Sequence, residues 1–377
     1  MKPFLLLIKP TGSDCNIDCK YCFYKSRAPE VGRGKQRMSD ETLETMVRDY
    51  MALDLPEYGF MWQGGEPTLM GLDFYKKFID LQKKYNIHNN RISNSIQTNG
   101  ILLDEKWCNF LRKNNFLVGI SIDGPKELHD YYRVDFAGSG TFDRVMRAIQ
   151  ACRKHRVEFN TLTLVNKKTA DCVDEIFDFF VANSIRYLQF IPCVETDPAT
   201  GRIADFALTP RQYGDFLCRL FDRWYEYGPR NVSIRDFESI LSFCLNGRHT
   251  ICTYSRTCSG YIVIEHTGDA FPCDFFVTPQ LCLGNIRETP IDEIASSAKK
   301  SEFDRAKQKL PNKCLLCRYL SVCRGGCQKN RIAFDGHPPR ESYFCESYKQ
   351  FFDHSLARFM QLAAQINVES LPKRPFA

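Results

Sequence analysis

Three cysteines near the start of the chain form a loop that is suited to metal chemistry. They are Cys15, Cys19 and Cys22, separated by three and two residues. Four thiolates would suit a structural zinc ion, whereas three in one loop leave a coordination position open. A four-iron cluster held by three cysteines likewise keeps one iron available for a small ligand. The spacing alone is compatible with such a cluster and with a zinc site completed by a distant residue.

A second group of cysteines lies in the last third of the chain. The chain has 18 cysteines in 377 residues, and in a reducing compartment grouped thiols indicate metal binding or catalysis rather than disulfides. The eight candidate ligands of this group are Cys252, Cys258, Cys273, Cys314, Cys317, Cys323, Cys327 and Cys345. Eight thiolates suffice for two iron–sulfur clusters or for two zinc sites. The other cysteines are expected to be packing residues: Cys108, Cys152, Cys172, Cys193, Cys218, Cys244 and Cys282.

The elements that must position these loops follow from the hydrophobic pattern. In the first half of the chain, short apolar runs typical of strands alternate with amphipathic segments typical of helices. The runs are 4–8, 60–63, 92–97, 117–122, 159–165 and 187–191. Ser39 and Asp104 each precede an amphipathic segment and are expected to cap its first turn. These alternations predict an α/β fold with a parallel sheet, closing as a partial six-stranded (β/α) barrel.

Polar and glycine-rich segments follow the predicted strands. In parallel sheets and barrels the carboxyl ends of the strands meet at one face, where ligands bind. The segments at that face are Lys9–Cys22, Gln63–Pro67, Gln97–Gly100, Ser121–Pro125 and Pro192–Glu195. The three-cysteine loop is therefore expected to lie beside most of the other reactive groups of the chain.

The pattern changes at about residue 250, where regular periodicity fades and cysteines accumulate. A small segment with a weak apolar core needs bound metal to fold, so we expect a separate metal-binding domain here. The predicted boundaries are a barrel domain at 1–230, a helical connection at 231–248, a cysteine-rich domain at 249–346, and a C-terminal helix and tail at 347–377.

The composition argues against membrane and nucleic-acid functions. No apolar stretch reaches the roughly 18 residues of a membrane-spanning helix. The first apolar run ends at Lys9 and is too short for a signal peptide, so a cytoplasmic location is expected. The formal net charge of +6 falls close to zero if the candidate thiolates hold three clusters. Because the basic residues are also scattered, no nucleic-acid partner is expected.

The three-cysteine loop resembles the signature of radical S-adenosylmethionine enzymes. The spacing Cys-x3-Cys-x2-Cys carries the aromatic Tyr21 directly before its last cysteine, and Gly64–Pro67 (GGEP) follows the second predicted strand. In the superfamily, backbone groups and the carboxylate of the GGEP segment receive the amino group of the cofactor. The resemblance implies that Cys15, Cys19 and Cys22 hold a 4Fe–4S cluster whose open iron binds S-adenosylmethionine. One electron would then release a 5′-deoxyadenosyl radical that attacks strong C–H bonds.

The cysteine-rich region is similar to the SPASM domain, which carries two auxiliary clusters. The pairing implied by this resemblance places Cys252, Cys258, Cys273 and Cys327 on a first auxiliary cluster and Cys314, Cys317, Cys323 and Cys345 on a second. Three 4Fe–4S clusters are thus implied in total. Because all eight auxiliary positions are filled by protein, the resemblance favours electron transfer or a structural role over direct substrate binding.

Further motifs narrow the resemblance to anaerobic sulfatase-maturating enzymes. These are Leu-Leu-Ile-Lys-Pro before the cysteine loop, Gln63-Gly-Gly-Glu-Pro-Thr-Leu, Gln97-Thr-Asn-Gly, Ser121-Ile-Asp-Gly-Pro, Tyr187-Leu-Gln-Phe-Ile and Tyr343-Phe-Cys-Glu-Ser-Tyr. Such enzymes convert a cysteine or serine of a sulfatase into formylglycine (3-oxoalanine). The implied partners are a sulfatase polypeptide with a Cys-x-Pro-x-Arg or Ser-x-Pro-x-Arg type motif, and a reducing electron donor such as flavodoxin or ferredoxin.

The same likeness assigns roles to individual residues. The catalytic base of the family follows the third cysteine of the first auxiliary set, which makes Asp274 the candidate here. Burial among Phe271, Phe275 and Phe276 is expected to raise its basicity. The implied cofactor contacts are Tyr21, Gly65, Glu66, Ser121, Arg133 and Val194. The role of Asp123, another acid at this face, is open.

Two other classes of function are compatible with parts of the pattern. Another radical S-adenosylmethionine enzyme with a SPASM domain, one that forms a thioether or epimerises a residue, would share most motifs. A non-radical iron–sulfur or zinc module would explain the grouped cysteines but not the GGEP-like segment beside the three-cysteine loop. The sequence does not distinguish a cysteine target from a serine target.

Overall fold

The computed structural model describes residues 3–25, 35–197, 200–331 and 341–370. The predicted tail from residue 371 onwards lies outside the described residues. The chain divides into two compact units. Unit 1 comprises Met1–Thr163, Asp197–Ala199 and Cys258–Ala306, and unit 2 comprises Leu164–Thr196, Thr200–Thr257 and Lys307–Ala377. The domain boundaries inferred from composition stay a prediction.

The strands and helices are numbered in chain order. The strands are β1 (Leu5–Lys9), β2 (Glu57–Trp62), β3 (Arg91–Thr98), β4 (Phe116–Ser121), β5 (Phe159–Val165), β6 (Tyr187–Pro192), β7 (Ser233–Ile234), β8 (Tyr261–Glu265), β9 (Asp269–Phe271) and β10 (Gly284–Asn285). The helices are α1 (Asp40–Met51), α2 (Leu72–Tyr85), α3 (Glu105–Lys113), α4 (Lys126–Tyr132), α5 (Phe142–Lys154), α6 (Val173–Ala182), α7 (Pro210–Tyr227), α8 (Arg235–Asn246), α9 (Ile291–Ser296), α10 (Ala298–Ala306), α11 (Asn312–Leu315), α12 (Leu320–Cys323) and α13 (Cys345–Ser370).

Unit 1 contains a mostly parallel sheet with the strand order β10-β9-β8-β1-β2-β3-β4-β5. Strand β1 pairs in parallel with both β2 and β8, so that Leu6 lies opposite Phe60 and Ile262. Strands β9 and β10 run antiparallel at the edge. The predicted α/β fold with a parallel sheet is confirmed. Strand β8, which comes from the cysteine-rich region, was not predicted.

The helices of unit 1 form where the sequence places caps and apolar faces. Ser39 accepts a hydrogen bond from Thr42 N at 3.1 Å at the start of α1. Asp104 accepts one from Trp107 N at 2.9 Å at the start of α3, so both predicted caps are confirmed. Between β2 and α2, Trp62 packs edge-to-face on Phe78 with ring centroids 4.7 Å apart. Burial of each such aromatic side chain stabilises the fold by about 1.5–3 kcal/mol.

Unit 2 contains the parallel pair β6–β7, in which Tyr187 lies opposite Ser233. Helix α7 begins with a capping box in which Thr209 and Gln212 exchange hydrogen bonds. Helices α7, α8 and α13 pack together around an aromatic core that consists of Phe221, Trp224, Phe237, Phe351 and Phe359. Within the residues described, no helix is both long enough and apolar enough to span a bilayer.

Candidate active site

The three-cysteine loop leaves the end of β1 and is held by the segment that follows β2. Gly65 N donates to Gly12 O, and Glu66 N donates to Asp14 O, both at 2.8 Å. A Cβ atom on Gly65 would lie 2.0 Å from Asp14 O, so the close approach of the two backbones requires glycine. The two motifs are therefore adjacent, as their shared position at the carboxyl ends of neighbouring strands predicts.

The Glu66 side chain is fully buried beneath this segment. Its Oε1 accepts hydrogen bonds from Thr68 N at 3.0 Å, from the Thr68 hydroxyl, and from the Thr98 hydroxyl at 2.7 Å. Its Oε2 accepts from Asn99 N at 2.7 Å. Burial raises the pKa of Glu66, and the hydrogen bonds from these residues offset part of the rise. The carboxyl group thus joins the segment after β2 to the segment after β3.

Asn99 connects the segment after β3 to the three-cysteine loop. Its Nδ2 donates to Asn16 Oδ1 at 2.7 Å and lies 3.7 Å from Cys15 Sγ, within hydrogen-bond reach of sulfur. Its Oδ1 accepts from Ile101 N at 3.0 Å, which fixes the orientation of the amide. An amide donor is therefore aimed at one of the three thiols.

Asp123 organises a second group of side chains at the three-cysteine loop. Its buried carboxylate pairs with Arg133 Nε at 3.0 Å and accepts a hydrogen bond from the Tyr21 hydroxyl. Arg133 Nη1 in turn lies 4.0 Å from Cys19 Sγ, and its guanidinium stacks 5.4 Å from the centre of the Tyr21 ring. Burial opposes the charge of Arg133, but Asp123 outweighs it and holds the pKa of Arg133 well above its usual value. Asp123, whose role the sequence left open, therefore positions two predicted site residues.

His129 supports both Asp123 and Arg133 through hydrogen bonds. The sequence analysis did not identify it. Asp123 N donates to His129 Nδ1 at 3.3 Å, and His129 Nε2 lies 2.9 Å from the Thr141 hydroxyl. That hydroxyl donates to Arg133 O at 3.0 Å. Burial lowers the pKa of His129 to about 3, so the ring is neutral and its proton is assigned to Nε2. The sequence around His129 gives no local signal that its ring is buried.

The three thiols of the loop form a donor set that suits a cluster. Burial raises the pKa of Cys19 to about 11 and also raises the pKa of Cys15 and of Cys22. Metal ligation requires thiolates, so a bound metal centre is what would deprotonate them. Among the described residues, no three His, Cys, Asp or Glu side chains converge on one metal ion. In a 4Fe–4S cluster the thiolates bind separate irons.

Two further predicted contacts lie at the ends of strands. Ser121 is the last residue of β4, and its Oγ accepts a hydrogen bond from Gln97 Nε2 at 3.1 Å. Val194 follows β6 in unit 2 and is buried. Its carbonyl accepts a hydrogen bond from Lys329 Nζ at 2.6 Å, and Lys329 also pairs with Glu195.

Three donors meet at the carboxylate of Asp274, which is only 4% exposed. Lys9 Nζ lies 2.7 Å from its Oδ1. The Tyr24 hydroxyl donates to Oδ2 at 2.9 Å, and Gln63 Nε2 donates to the same atom at 3.0 Å. Burial and the adjacent Asp274 charge hold the pKa of Tyr24 well above its usual value, so its hydroxyl stays a donor.

Lys9 is shared between two buried carboxylates. Its Nζ lies 3.0 Å from Glu265 Oε1, because the parallel register of β1 and β8 places Lys9 opposite Glu265. Burial alone would lower the pKa of Lys9, but the charges of Asp274 and Glu265 outweigh it and raise that pKa. The sequence reasoning missed both Lys9 and Glu265 as parts of this site. The only signal was a lysine at the end of an apolar run.

The phenylalanines near Asp274 pack mainly on separate partners. Phe271 belongs to the core of unit 1, whereas Phe275 packs on Phe23 at 5.4 Å and Phe276 on Phe303 at 5.2 Å between ring centroids. Asp274 is buried, as the sequence predicts. The sequence analysis expected only aromatic neighbours for its carboxylate. In the structure an ammonium, a phenol and an amide contact the carboxylate directly.

The four cysteines predicted for the second auxiliary cluster come together in unit 2. They line one pocket. The four are Cys314, Cys317, Cys323 and Cys345. Of the four predicted for the first auxiliary cluster, Cys258 and Cys273 belong to unit 1, and Cys252 and Cys327 belong to unit 2. Elsewhere, Cys108 and Cys152 are buried with their sulfur atoms 4.0 Å apart.

The chain matches two known protein families. Residues 10–180 match the radical SAM superfamily, and residues 252–318 match the SPASM iron–sulfur cluster-binding domain. A cysteine-type anaerobic sulfatase-maturating enzyme of Clostridium perfringens is 39% identical over 97% of this chain and 100% of the relative. A serine-type enzyme of Bacteroides thetaiotaomicron is 38% identical over 94% of this chain and 89% of the relative.

Solved structures give the same result. Native anSMEcpe with bound AdoMet and Cp18Cys peptide has a TM-score of 0.90 and 39% identity, over 97% of this chain and 100% of that chain. Streptococcus suis SuiB bound to S-adenosylmethionine shares the fold, with a TM-score of 0.64 and 19% identity over 91% and 77% of the two chains.

Fold and site together define a radical S-adenosylmethionine enzyme that carries a SPASM domain. S-adenosylmethionine and iron–sulfur clusters are accordingly its cofactors, as the sequence predicts. Since the identity extends over nearly the whole of both chains, this chain belongs to the family of anaerobic sulfatase-maturating enzymes.

Proposed function

We propose that this chain oxidises a cysteine or serine of a sulfatase polypeptide to formylglycine. The observation that carries the proposal is the 39% identity, over 97% of the chain, to a cysteine-type anaerobic sulfatase-maturating enzyme. A serine-type relative at 38% identity is the reason that both targets are included. The buried carboxylate of Asp274, with its three donors, supplies the acid–base group that such an oxidation requires.

The residues that would hold the first cluster and S-adenosylmethionine are assigned by the family motif and by the local contacts. Cys15, Cys19 and Cys22 would hold the first 4Fe–4S cluster. Contacts to S-adenosylmethionine are assigned to Tyr21, Gly65, Glu66, Ser121, Arg133 and Val194. The chemistry these cofactors supply when bound is a 5′-deoxyadenosyl radical, which takes a hydrogen atom from the target Cβ. Buried Arg133 and Asn99 hold donors near the thiols.

Asp274 would accept the thiol or hydroxyl proton of the target residue while one electron leaves the substrate. Tyr24 and Gln63 both donate to Oδ2, and Lys9 contacts Oδ1. These contacts hold the carboxylate in one orientation, which is the geometric requirement for a general base. A cysteine target would then give a thioaldehyde that hydrolyses to the aldehyde, and a serine target would give the aldehyde directly.

The electron that leaves the substrate would be accepted by the two auxiliary clusters. The family pattern gives each of them four cysteines, which leaves no iron for substrate and favours electron transfer. A reducing partner such as flavodoxin or ferredoxin would supply the electron that starts each turnover. A cytoplasmic location, where thiols stay reduced, belongs to the same proposal.

The test is anaerobic reconstitution with iron and sulfide, followed by incubation with S-adenosylmethionine and a reductant. One peptide carries Cys-x-Pro-x-Arg, and a matched peptide carries Ser-x-Pro-x-Arg. We expect 5′-deoxyadenosine together with a mass loss at the target residue that corresponds to an aldehyde. The control is the variant in which Cys15, Cys19 and Cys22 are alanine, which should form neither product. A thioether or an epimer in place of the aldehyde would refute the proposal and favour another maturase.

A further inference from the structure

A tyrosine hydroxyl lies next to a sulfur atom that the resemblance assigns to the first auxiliary cluster. Tyr261 is the first residue of β8, and its hydroxyl oxygen is 3.3 Å from Cys273 Sγ. The Tyr261 ring packs against a hydrophobic cluster of unit 1 that consists of Leu7, Val263, Phe271 and Val277. Because core packing fixes the ring, the hydroxyl is held in place towards the sulfur atom.

Cys273 is fixed as firmly as its tyrosine neighbour. Two residues before it, Phe271 pairs with Val263 across β8 and β9 and is part of the same hydrophobic cluster. One residue after it, Asp274 is paired with Lys9 at 2.7 Å. The hydroxyl and the sulfur atom are therefore both positioned by one sheet, and their contact does not depend on a mobile side chain.

The direction of this hydrogen bond is determined by metal binding. In a free thiol either atom can donate. A cysteine that binds iron is a thiolate without a proton, so the phenol must then be the donor. A hydrogen bond donated to a ligand sulfur stabilises the more negative, reduced form of the cluster, and such bonds are among the factors that set its potential.

We propose that Tyr261 is a positioning residue that raises the reduction potential of the first auxiliary cluster through its hydrogen bond to Cys273. This inference rests on the proposed function only in taking Cys273 as a ligand of that cluster. In the proposed reaction one electron leaves the substrate as Asp274 takes the proton, and the oxidised auxiliary cluster is reduced by that electron. A higher potential makes this cluster a better acceptor.

The test is a redox titration of Tyr261→Phe in which electron paramagnetic resonance measures the reduced clusters. Both the reference protein and the variant carry alanine in place of Cys15, Cys19 and Cys22, so that only auxiliary clusters contribute signals. We expect the midpoint potential of one auxiliary cluster to become more negative, with a several-fold lower reduced-to-oxidised ratio at a fixed potential. A tenfold change in that ratio corresponds to about 59 mV for one electron. In the reference protein, the coupling of the Tyr261 hydroxyl proton to the electron spin of the reduced cluster should be lost in D₂O, because that proton exchanges.

Tyr58→Phe is the control, because it removes a hydroxyl in the same unit that donates to Met51 O at 2.7 Å and contacts no sulfur atom in that bond. It should leave both auxiliary potentials unchanged. An unchanged potential in Tyr261→Phe, or an equal shift in Tyr58→Phe, would overturn the inference.

The iron content of Cys273→Ala shows whether Cys273 is a ligand of the cluster at all. It therefore distinguishes a failure of the role of Tyr261 from a failure of the assignment of Cys273. Loss of iron from Cys273→Ala, combined with an unchanged potential in Tyr261→Phe, would overturn the role of Tyr261 alone. Full iron content in Cys273→Ala would overturn the role of Tyr261 and the assignment of Cys273 together. Formation of formylglycine by the unmodified enzyme is measured independently of both.

Discussion

Glu66 and Asp274 are both buried acids of unit 1 that follow strands of the same sheet, yet their partners differ in kind. Glu66 accepts hydrogen bonds from neutral groups of Thr68, Thr98 and Asn99. Asp274 contacts the ammonium of Lys9 and accepts from two neutral side chains. Glu66 connects two loops, whereas Asp274 shares its cation with a second carboxylate.

The partners of these two acids therefore suit different roles, and those of Asp274 suit the role of a base that is proposed for it. The neutral donors around Glu66 come from two consecutive segments of the sheet face and hold them together. Lys9 lies between Asp274 and Glu265, so it keeps an ion-pair partner when one of the two carboxylates is neutralised. Asp274 is therefore suited to accept a proton without leaving a buried cation uncompensated.

The largest effect on stability is expected for Lys9→Met. The variant leaves two buried carboxylates without their shared cation, and removing one partner of a buried ion pair costs about 3–5 kcal/mol. Urea unfolding of the reconstituted protein measures this loss. The control is Lys76→Met, because Lys76 is exposed and pairs with exposed Asp73, and such pairs contribute about 0–1 kcal/mol. Equal losses in the two variants would contradict the description of Lys9.

A smaller, pH-dependent effect is expected from His129, which supports the third buried acid, Asp123. The pKa of His129 is lowered to about 3 by burial, against about 6.5 in the unfolded chain. The unfolded state therefore binds more protons below pH 6.5, and stability falls as the pH decreases through this window. At pH 5 the loss relative to pH 8 is about 2 kcal/mol.

His129→Gln tests this expectation, because glutamine does not titrate in this range. Urea unfolding at pH 8 and at pH 5 should show a pH-dependent loss that is about 2 kcal/mol smaller in His129→Gln than in the unsubstituted protein. The same pH dependence in both proteins would show that His129 is not neutral in the folded state.

The smallest effect is expected for Glu66→Gln. The amide keeps the size of the side chain but replaces one acceptor oxygen by a donor, which leaves at least one buried hydrogen bond unmade. The free energy of unfolding should fall by about 1–2 kcal/mol. Exposed Glu158→Gln is the control and should change stability by less than about 0.5 kcal/mol. A loss as large as that of Lys9→Met would show that charge matters equally at both acids.

Local patterns in the sequence predicted most of the secondary structure. The apolar runs at 159–165 and 187–191 coincide with β5 and, within one residue, with β6. Ser39 and Asp104 act as predicted because a cap depends only on residues within one turn. The juxtaposition of the three-cysteine loop and the Gly64–Pro67 segment was also predictable, since both follow adjacent parallel strands.

The contacts of Lys9 with Glu265 and Asp274 were not predictable from local patterns. They exist because β8, far along the chain, pairs with β1 in a particular register, and one residue of slip would point the side chains to the other face. The support of Asp123 by His129 was missed for a related reason. A histidine on a short helix carries no local sign that its ring is buried and neutral.

The proposed transfer of a proton to Asp274 after hydrogen abstraction is tested most directly by Asp274→Asn with a peptide deuterated at the target Cβ. We predict that deuterium still enters 5′-deoxyadenosine, while formylglycine formation falls by about 10²–10⁴-fold. Asp269→Asn, on neighbouring β9, is the matched control and should form both products normally. Undiminished formylglycine from Asp274→Asn would show that Asp274 is not the base.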